Sequence, residues 1–163
     1  MPARQPRLPE VEALLNPAFG AYVLAHGAAA HSAAASDQAA LPWPSAFLLL
    51  PLVLPPDSRA KLPRDTRTTL AAWLADHPVE RAVYPRRAAG LHDHARASIR
   101  FGIRHRILAL TPTGLAAVGR PRRPAPAEDG EEAASCVRAA VLVGRWLAAS
   151  DPATAFTLLG VRP

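Results

Sequence analysis

Apolar residues recur at helical spacing through most of this chain. Phe19, Tyr22, Val23 and His26 follow Asn16-Pro17, an N-cap residue and a proline at the first helical position, and an alanine-rich run carries this helix weakly to about Ala35. Ser36–Leu41 reads as a loop. Ala46–Leu54 is apolar on every side. That predicts a buried central helix broken near Pro51, with a buried strand as the alternative, because a short apolar run carries no decisive period. Pro55-Pro56-Asp57 caps a short helix over Ser58–Leu62, which Pro63 stops. Asp65 or Thr66 starts the next helix, with Leu70, Trp73 and Leu74 on one face and His77-Pro78 at its close. Val79–Gly90 shows no clear pattern.

Leu91–Arg106 is strongly periodic. Leu91, Ala95, Ile99 and Ile103 repeat every four residues on one ridge, and His92, Arg96, Arg100 and Arg104 on the next. Two β-type runs follow, Ile107–Leu110 and Leu115–Val118, joined by the turn Thr111-Pro112-Thr113-Gly114. A helix leading into a tight hairpin is how a winged helix-turn-helix ends. Residues 119–130 form a loop, basic first and acidic after. Glu131–Ser150 is helical with Val137, Ala140, Val141, Gly144 and Leu147 on one face, and Asp151-Pro152 opens a last short helix ending at Gly160. The expected fold is mainly α: a compact helical domain over residues 11–163 with a short winged-helix-like hairpin, after a loose segment 1–10.

Charge sharpens the picture. Residues 79–124 hold ten arginines against Glu80 and Asp93, a balance of +8, whereas residues 1–78 balance to 0 and residues 125–163 to −2. Charge concentrated in one segment gives a directional field that favours an acidic partner, nucleic acid or protein. The eighteen arginines against one lysine, Lys61, also fit a GC-rich codon bias, so the clustering says more than the total. Cys136 is the single cysteine, which excludes an internal disulfide and a cysteine-based zinc site, and it reads as a buried structural thiol. No apolar secretory segment opens the chain, and the longest apolar run has nine residues where a membrane span needs about 20. A cytoplasmic protein without membrane contact is expected.

The chemistry of catalysis is missing. Glycine-rich phosphate loops and a Gly-x-Ser-x-Gly elbow are absent. His92 and His94 flank Asp93, but on a helix residues i and i+2 point about 200° apart, so the two imidazoles diverge and a metal site would form only if this turn were frayed. His26 and His31 share a face no better. Asp57, Asp65, Asp76 and Asp151 all fall at expected helix ends, where capping accounts for them. No enzyme, metal or cofactor is expected. The arginine ridge has three readings: a solvated helix face, contact with the DNA backbone, or docking on an acidic protein surface. It lacks Asn or Gln to read adenine and aromatic rings to stack on single strands.

The order of several short segments carries a resemblance. Glu12-Ala-Leu-Leu-Asn16-Pro17-Ala-Phe19 is followed by Leu48-Leu-Leu-Pro51-Leu-Val-Leu54-Pro and by Leu62-Pro63-Arg64-Asp-Thr66-Arg67-Thr68. Leu70-Ala-Ala-Trp73-Leu74 and Phe101-Gly-Ile-Arg104-His-Arg-Ile107-Leu-Ala-Leu110 come next. The end is Gly144-Arg145-Trp146-Leu147, Asp151-Pro152-Ala-Thr154 and Leu159-Gly160-Val161-Arg162-Pro163. In this order the chain resembles, over about residues 11–163, the middle components of bacterial three-component ABC systems. The resemblance implies a conflict or antiphage system in which a SMC- or Rad50-like ABC ATPase is paired with an effector. It implies a non-enzymatic adaptor between the two. Arg64, Arg67, Arg145 and Arg162 are then candidates for partner contact, alongside Arg96, Arg100 and Arg104. A winged-helix DNA-binding regulator using residues 91–106 is the alternative, and homodimerisation through the Ala-rich first helix a weaker one.

Overall fold

A computed structural model describes residues 14–124 and 130–162. The expected loose segment 1–10 lies outside them, as do residues 125–129 of the basic-to-acidic loop. The elements run α1 (Pro17–Ala34), a short 3-10 turn (Trp43–Ser45), α2 (Ala46–Val53), α3 (Pro56–Ala60), α4 (Leu70–Asp76), α5 (Pro78–Arg104), β1 (Leu108–Thr111), β2 (Gly114–Ala117), α6 (Gly130–Ala148) and α7 (Pro152–Leu158). The fold is mainly α with one two-stranded antiparallel hairpin. Among the described residues no single helix is long and apolar enough to cross a membrane.

Helix α1 lies at the centre. The Asn16 side chain accepts from the Ala18 N–H at 2.8 Å, as the Asn-Pro start predicts. Val23, Leu24, Ala25 and Ala28 are buried between α5, α6 and the hairpin. The alanine-rich helix is thus used largely inside the domain, with Ala33 and Ala34 exposed at its end. Helix α6 comes so close to α1 that a Cβ on Gly144 would stand 2.3 Å from the Gly27 carbonyl oxygen. Of the predicted apolar face of α6, Ala140, Gly144 and Leu147 are buried but Val137 and Val141 only half-buried, and Cys136, Ala139, Leu142, Val143 and Trp146 complete the buried side. Helix α2 is buried along its length, as its apolar run requires, but it is not broken at Pro51. A proline there forfeits one bond, to the Phe47 carbonyl, and tertiary packing offsets that loss.

Three further expectations change. Helix α4 starts at Thr69, whose hydroxyl accepts from the Ala72 N–H, not at Asp65 or Thr66. Asp65 instead holds Arg67, through its backbone N–H and its guanidinium. Val79–Gly90, unreadable in sequence, is the first half of the 27-residue α5, which continues through Pro85. Tyr84 anchors that half: it is 1% exposed, and its hydroxyl donates to the Leu48 carbonyl at 2.8 Å. Finally, the buried ridge of α5 is Ala95, Ser98 and Gly102, whereas Ile103 is 40% exposed. The predicted ridge of Leu91, Ala95, Ile99 and Ile103 drifts off the contact because spacings of four alone advance faster than the 3.6-residue turn.

The winged-helix likeness is not confirmed. The hairpin follows a helix that spans the domain, and β2 packs on α1 and pairs with Leu41. The last helix ends as the sequence suggests. Asp151 caps α7 by accepting from the Thr154 N–H at 3.1 Å, and Gly160 takes φ +68° after its final turn. There the Val161 N–H reaches the Phe156 carbonyl and the Gly160 N–H the Thr157 carbonyl, the paired bonds of a Schellman cap.

Candidate docking surfaces

The arginine face of α5 is open. Arg96, Arg100 and Arg104 are all exposed, and none joins an ion pair among the described residues. Arg87, from the same basic segment, is different: it bonds buried Glu80 at 3.0 Å, as Lys61 does at 2.6 Å. Burial pushes the Glu80 carboxyl up, but hydrogen bonds from Lys61 and Arg87 outweigh it and hold the group below its ordinary value. The segment's charge is therefore divided between an internal clamp and a free face.

The segment bearing Arg64 and Arg67 is held at both ends by tryptophans. The Trp73 indole donates to the Lys61 carbonyl at 2.9 Å and the Trp146 indole to the Thr68 carbonyl at 2.8 Å, with the two rings 5.6 Å apart. Arg64 and Arg67 are exposed, Arg67 clasped by Asp65. Arg145, one residue before Trp146, lines a cleft of about 450 Å³ with Thr66 and Thr69 of the same segment. The structure thus brings Arg145 to the loop that carries Arg64 and Arg67.

Arg162 lies elsewhere, on a cleft of about 590 Å³ with Trp43, Phe47, His92 and Asp93. Trp43 is 56% exposed, its ring edge-on to Phe47 at 6.0 Å, and Phe47 stacks on His92 at 5.0 Å. Sequence reasoning missed this cleft. Trp43 and Phe47 sit four apart, but their partner His92 comes from α5, and no local signal joins the two segments. His92 and His94 diverge as the helix geometry requires: His94 is packed near Ser98, with burial lowering its pKa.

The basic loop after the hairpin lies against α1. The Arg122 carbonyl accepts from the Tyr22 hydroxyl at 2.8 Å and bonds His26 Nε2 at 3.0 Å, leaving the Arg120, Arg122 and Arg123 side chains exposed. Cys136 is buried, its thiol pushed up to about 11 by burial, so it is a packed thiol and not a nucleophile at neutral pH. Among the described residues no group of three His, Cys, Asp or Glu side chains is placed to hold one metal ion.

The described residues form a mainly α domain closed by a hairpin, with a free basic helix face and two clefts rimmed by arginine. The chain belongs to the family described as ABC-three component (ABC-3C) system Middle Component 3, whose model matches residues 4–163. No curated protein and no solved structure matches it.

Proposed function

We propose that this chain is the non-catalytic adaptor of an ABC three-component system. In this role it couples an SMC- or Rad50-like ABC ATPase to an effector in bacterial antiphage defence, in the cytoplasm. The family match over residues 4–163 carries this reading. The surfaces support it: exposed Arg64, Arg67, Arg96, Arg100, Arg104, Arg145 and Arg162 are spread over several faces, as a protein with more than one partner requires. Co-expression with the ATPase and effector encoded beside it tests the proposal. Joint purification of all three is expected, and recovery of the chain alone would sink it.

A second reading, binding to the DNA backbone, draws on the free stripe of Arg96, Arg100 and Arg104. Each phosphate contact that displaces counterions steepens the fall of affinity with salt. Replacing the three with alanine should then flatten that slope, and absence of duplex binding at low salt removes this reading.

A further inference from the structure

Helix α5 has a side that the domain leaves uncovered. Val79, Ala82, Arg86, Gly90, Asp93 and Ala97 follow one another at steps of three and four, which places them on one side of a helix. Val79 is 67% exposed, Ala97 is half-buried and the other four are exposed. The helix runs for 27 residues, about 40 Å, so this side is a long seam. Gly90, at its middle, has no packing role within the domain: its backbone is helical, and a Cβ added there would meet nothing within 4 Å. A glycine inside a helix weakens it, and no contact among the described residues offsets that loss.

The charges on this seam sit where a twofold axis would place them. Arg86 and Asp93 are equally far from the Ala89–Gly90 peptide, one on each side of it. When two such helices run antiparallel and cross there, Arg86 of each stands opposite Asp93 of the other. The same register sets Ala82 against Ala97, and Val79 against Arg100, whose aliphatic stem covers apolar surface. Arg86 joins no ion pair among the described residues. Asp93, its side chain 95% exposed, has only the His92 ring beside it at 3.6 Å. Like charges stay apart, since the two Arg100 residues lie about 30 Å from each other along such a pair. Parallel pairing would instead set Arg86 against Arg86 and Asp93 against Asp93.

We infer that α5 pairs antiparallel with α5 of a second copy of this chain, crossing at Ala89 and Gly90 and joined by two Arg86–Asp93 ion pairs. The small residues at the crossing let the two backbones come close, which gives Gly90 the role it lacks in the single chain. The cleft holding Trp43 shares Ala89 and Asp93 with this side, so the second helix also shields part of that 56% exposed residue. A helix of another subunit is the competing occupant. The seam favours a second copy because it is its own complement in charge and in size. Nucleic acid fits poorly, because Asp93 lies near the centre of the seam. One helix crossing is a small interface, so the dimer is a weak one, with a dissociation constant in the micromolar range.

Sedimentation equilibrium of the full chain alone, from micromolar to near-millimolar concentration, tests the pairing independently of the adaptor reading. A dimer is expected to dominate at the upper end. Arg86→Glu sets a carboxylate against Asp93 and should weaken the dimer at least tenfold, as should Asp93→Arg. Combining Arg86→Glu with Asp93→Arg restores opposite charges and should return the dissociation constant to within about threefold of wild type. Gly90→Gln separates the contact from the fold: it should raise the Tm of the dilute monomer yet weaken the dimer at least tenfold. A chain that stays monomeric up to near-millimolar concentration overturns the proposal and leaves the adaptor reading intact. So does a dimer that ignores both single charge changes, or a combined variant as weak as the single ones. Should a charge variant lower Tm, Gly90→Gln decides, and a dimer of full affinity in that variant overturns the α5 crossing.

Discussion

Arg59 shows how far a residue's role can lie from its sequence appearance. It looks like one more arginine in a short helix, yet its side chain is 6% exposed. Its guanidinium donates to the carbonyls of Val53 at 2.7 Å and Leu54 at 2.9 Å, and its Nε–H to Ser135 Oγ at 3.0 Å, with Glu132 as its ion-pair partner. The cause is local. Helix α2 ends into Pro55-Pro56, neither of which has an N–H to offer its last carbonyls, so Arg59 supplies the donors. Orphaned buried carbonyls cost about 1–3 kcal/mol each. Arg59→Met should therefore lower the unfolding free energy by about 3 kcal/mol in urea titrations, with Arg59→Lys recovering only part. A loss below about 0.5 kcal/mol would show that water replaces the guanidinium. Nothing in the sequence marks Arg59, because its partners arrive from α2 and α6.

Element boundaries followed their local chemistry where that chemistry was complete, and missed where it was not. Asn16-Pro17 and Asp151-Pro152 start helices because each cap is satisfied by a backbone N–H within three residues. Helix α5 was half hidden because Pro85 interrupts its pattern, whereas Tyr84 and the Glu80 clamp hold it from outside. Its end carries a testable strain. Arg106 occupies the left-handed position of the cap at φ +55°, with the Ile107 N–H bonded to the Gly102 carbonyl. Arg106→Gly should stabilise the protein by about 0.5–1 kcal/mol, a Tm rise of about 1–4 °C. Gly160→Ala should do the reverse, since its added Cβ would meet only Pro85 at 3.6 Å and the cost is that of the backbone. Gly144 is a contact problem instead. In Gly144→Ala the new methyl would meet the Gly27 carbonyl, so α1 and α6 must part. Overpacking of about 1–3 kcal/mol then exceeds the roughly 1 kcal/mol gained in helix propensity. Calorimetry should show a lower Tm, and an unchanged or higher value would mean that the crossing is soft.

At the scale of the whole molecule, buried titratable groups set the response to acid. His26, His31 and His94 have pKa values lowered by burial, in the first two cases against the pull of a backbone hydrogen bond. The native state thus favours the neutral rings. Their contribution is complete above about pH 6.5, the unfolded value, and is lost as pH falls through the lower folded values. The lowered Glu80 acts in a second window: its contribution is present above about pH 4.3 and is lost as pH falls through the folded value below that. Unfolding free energy should therefore fall in two stages from pH 7 to pH 3. His31→Gln should flatten the first stage and Glu80→Gln the second, and a flat curve between pH 7 and 5 would contradict the histidine assignment. The arginine-rich segment reads differently at this scale as well. Its local excess was plain in the sequence, but only packing separates Arg87, spent on Glu80, from the free Arg96, Arg100 and Arg104.

By itself the sequence determined the helical class, the hairpin and its turn, the capped starts of α1 and α7, the buried α2 run and the family. Each of these is written in residues close along the chain: a capping side chain, a period, a turn or an ordered set of short segments. Tertiary structure alone decided which face of α5 is buried, that Arg59 closes α2, and that Trp73 and Trp146 hold the segment bearing Arg64 and Arg67. These depend on groups far apart in sequence meeting at particular distances and directions, and composition and period carry no record of that.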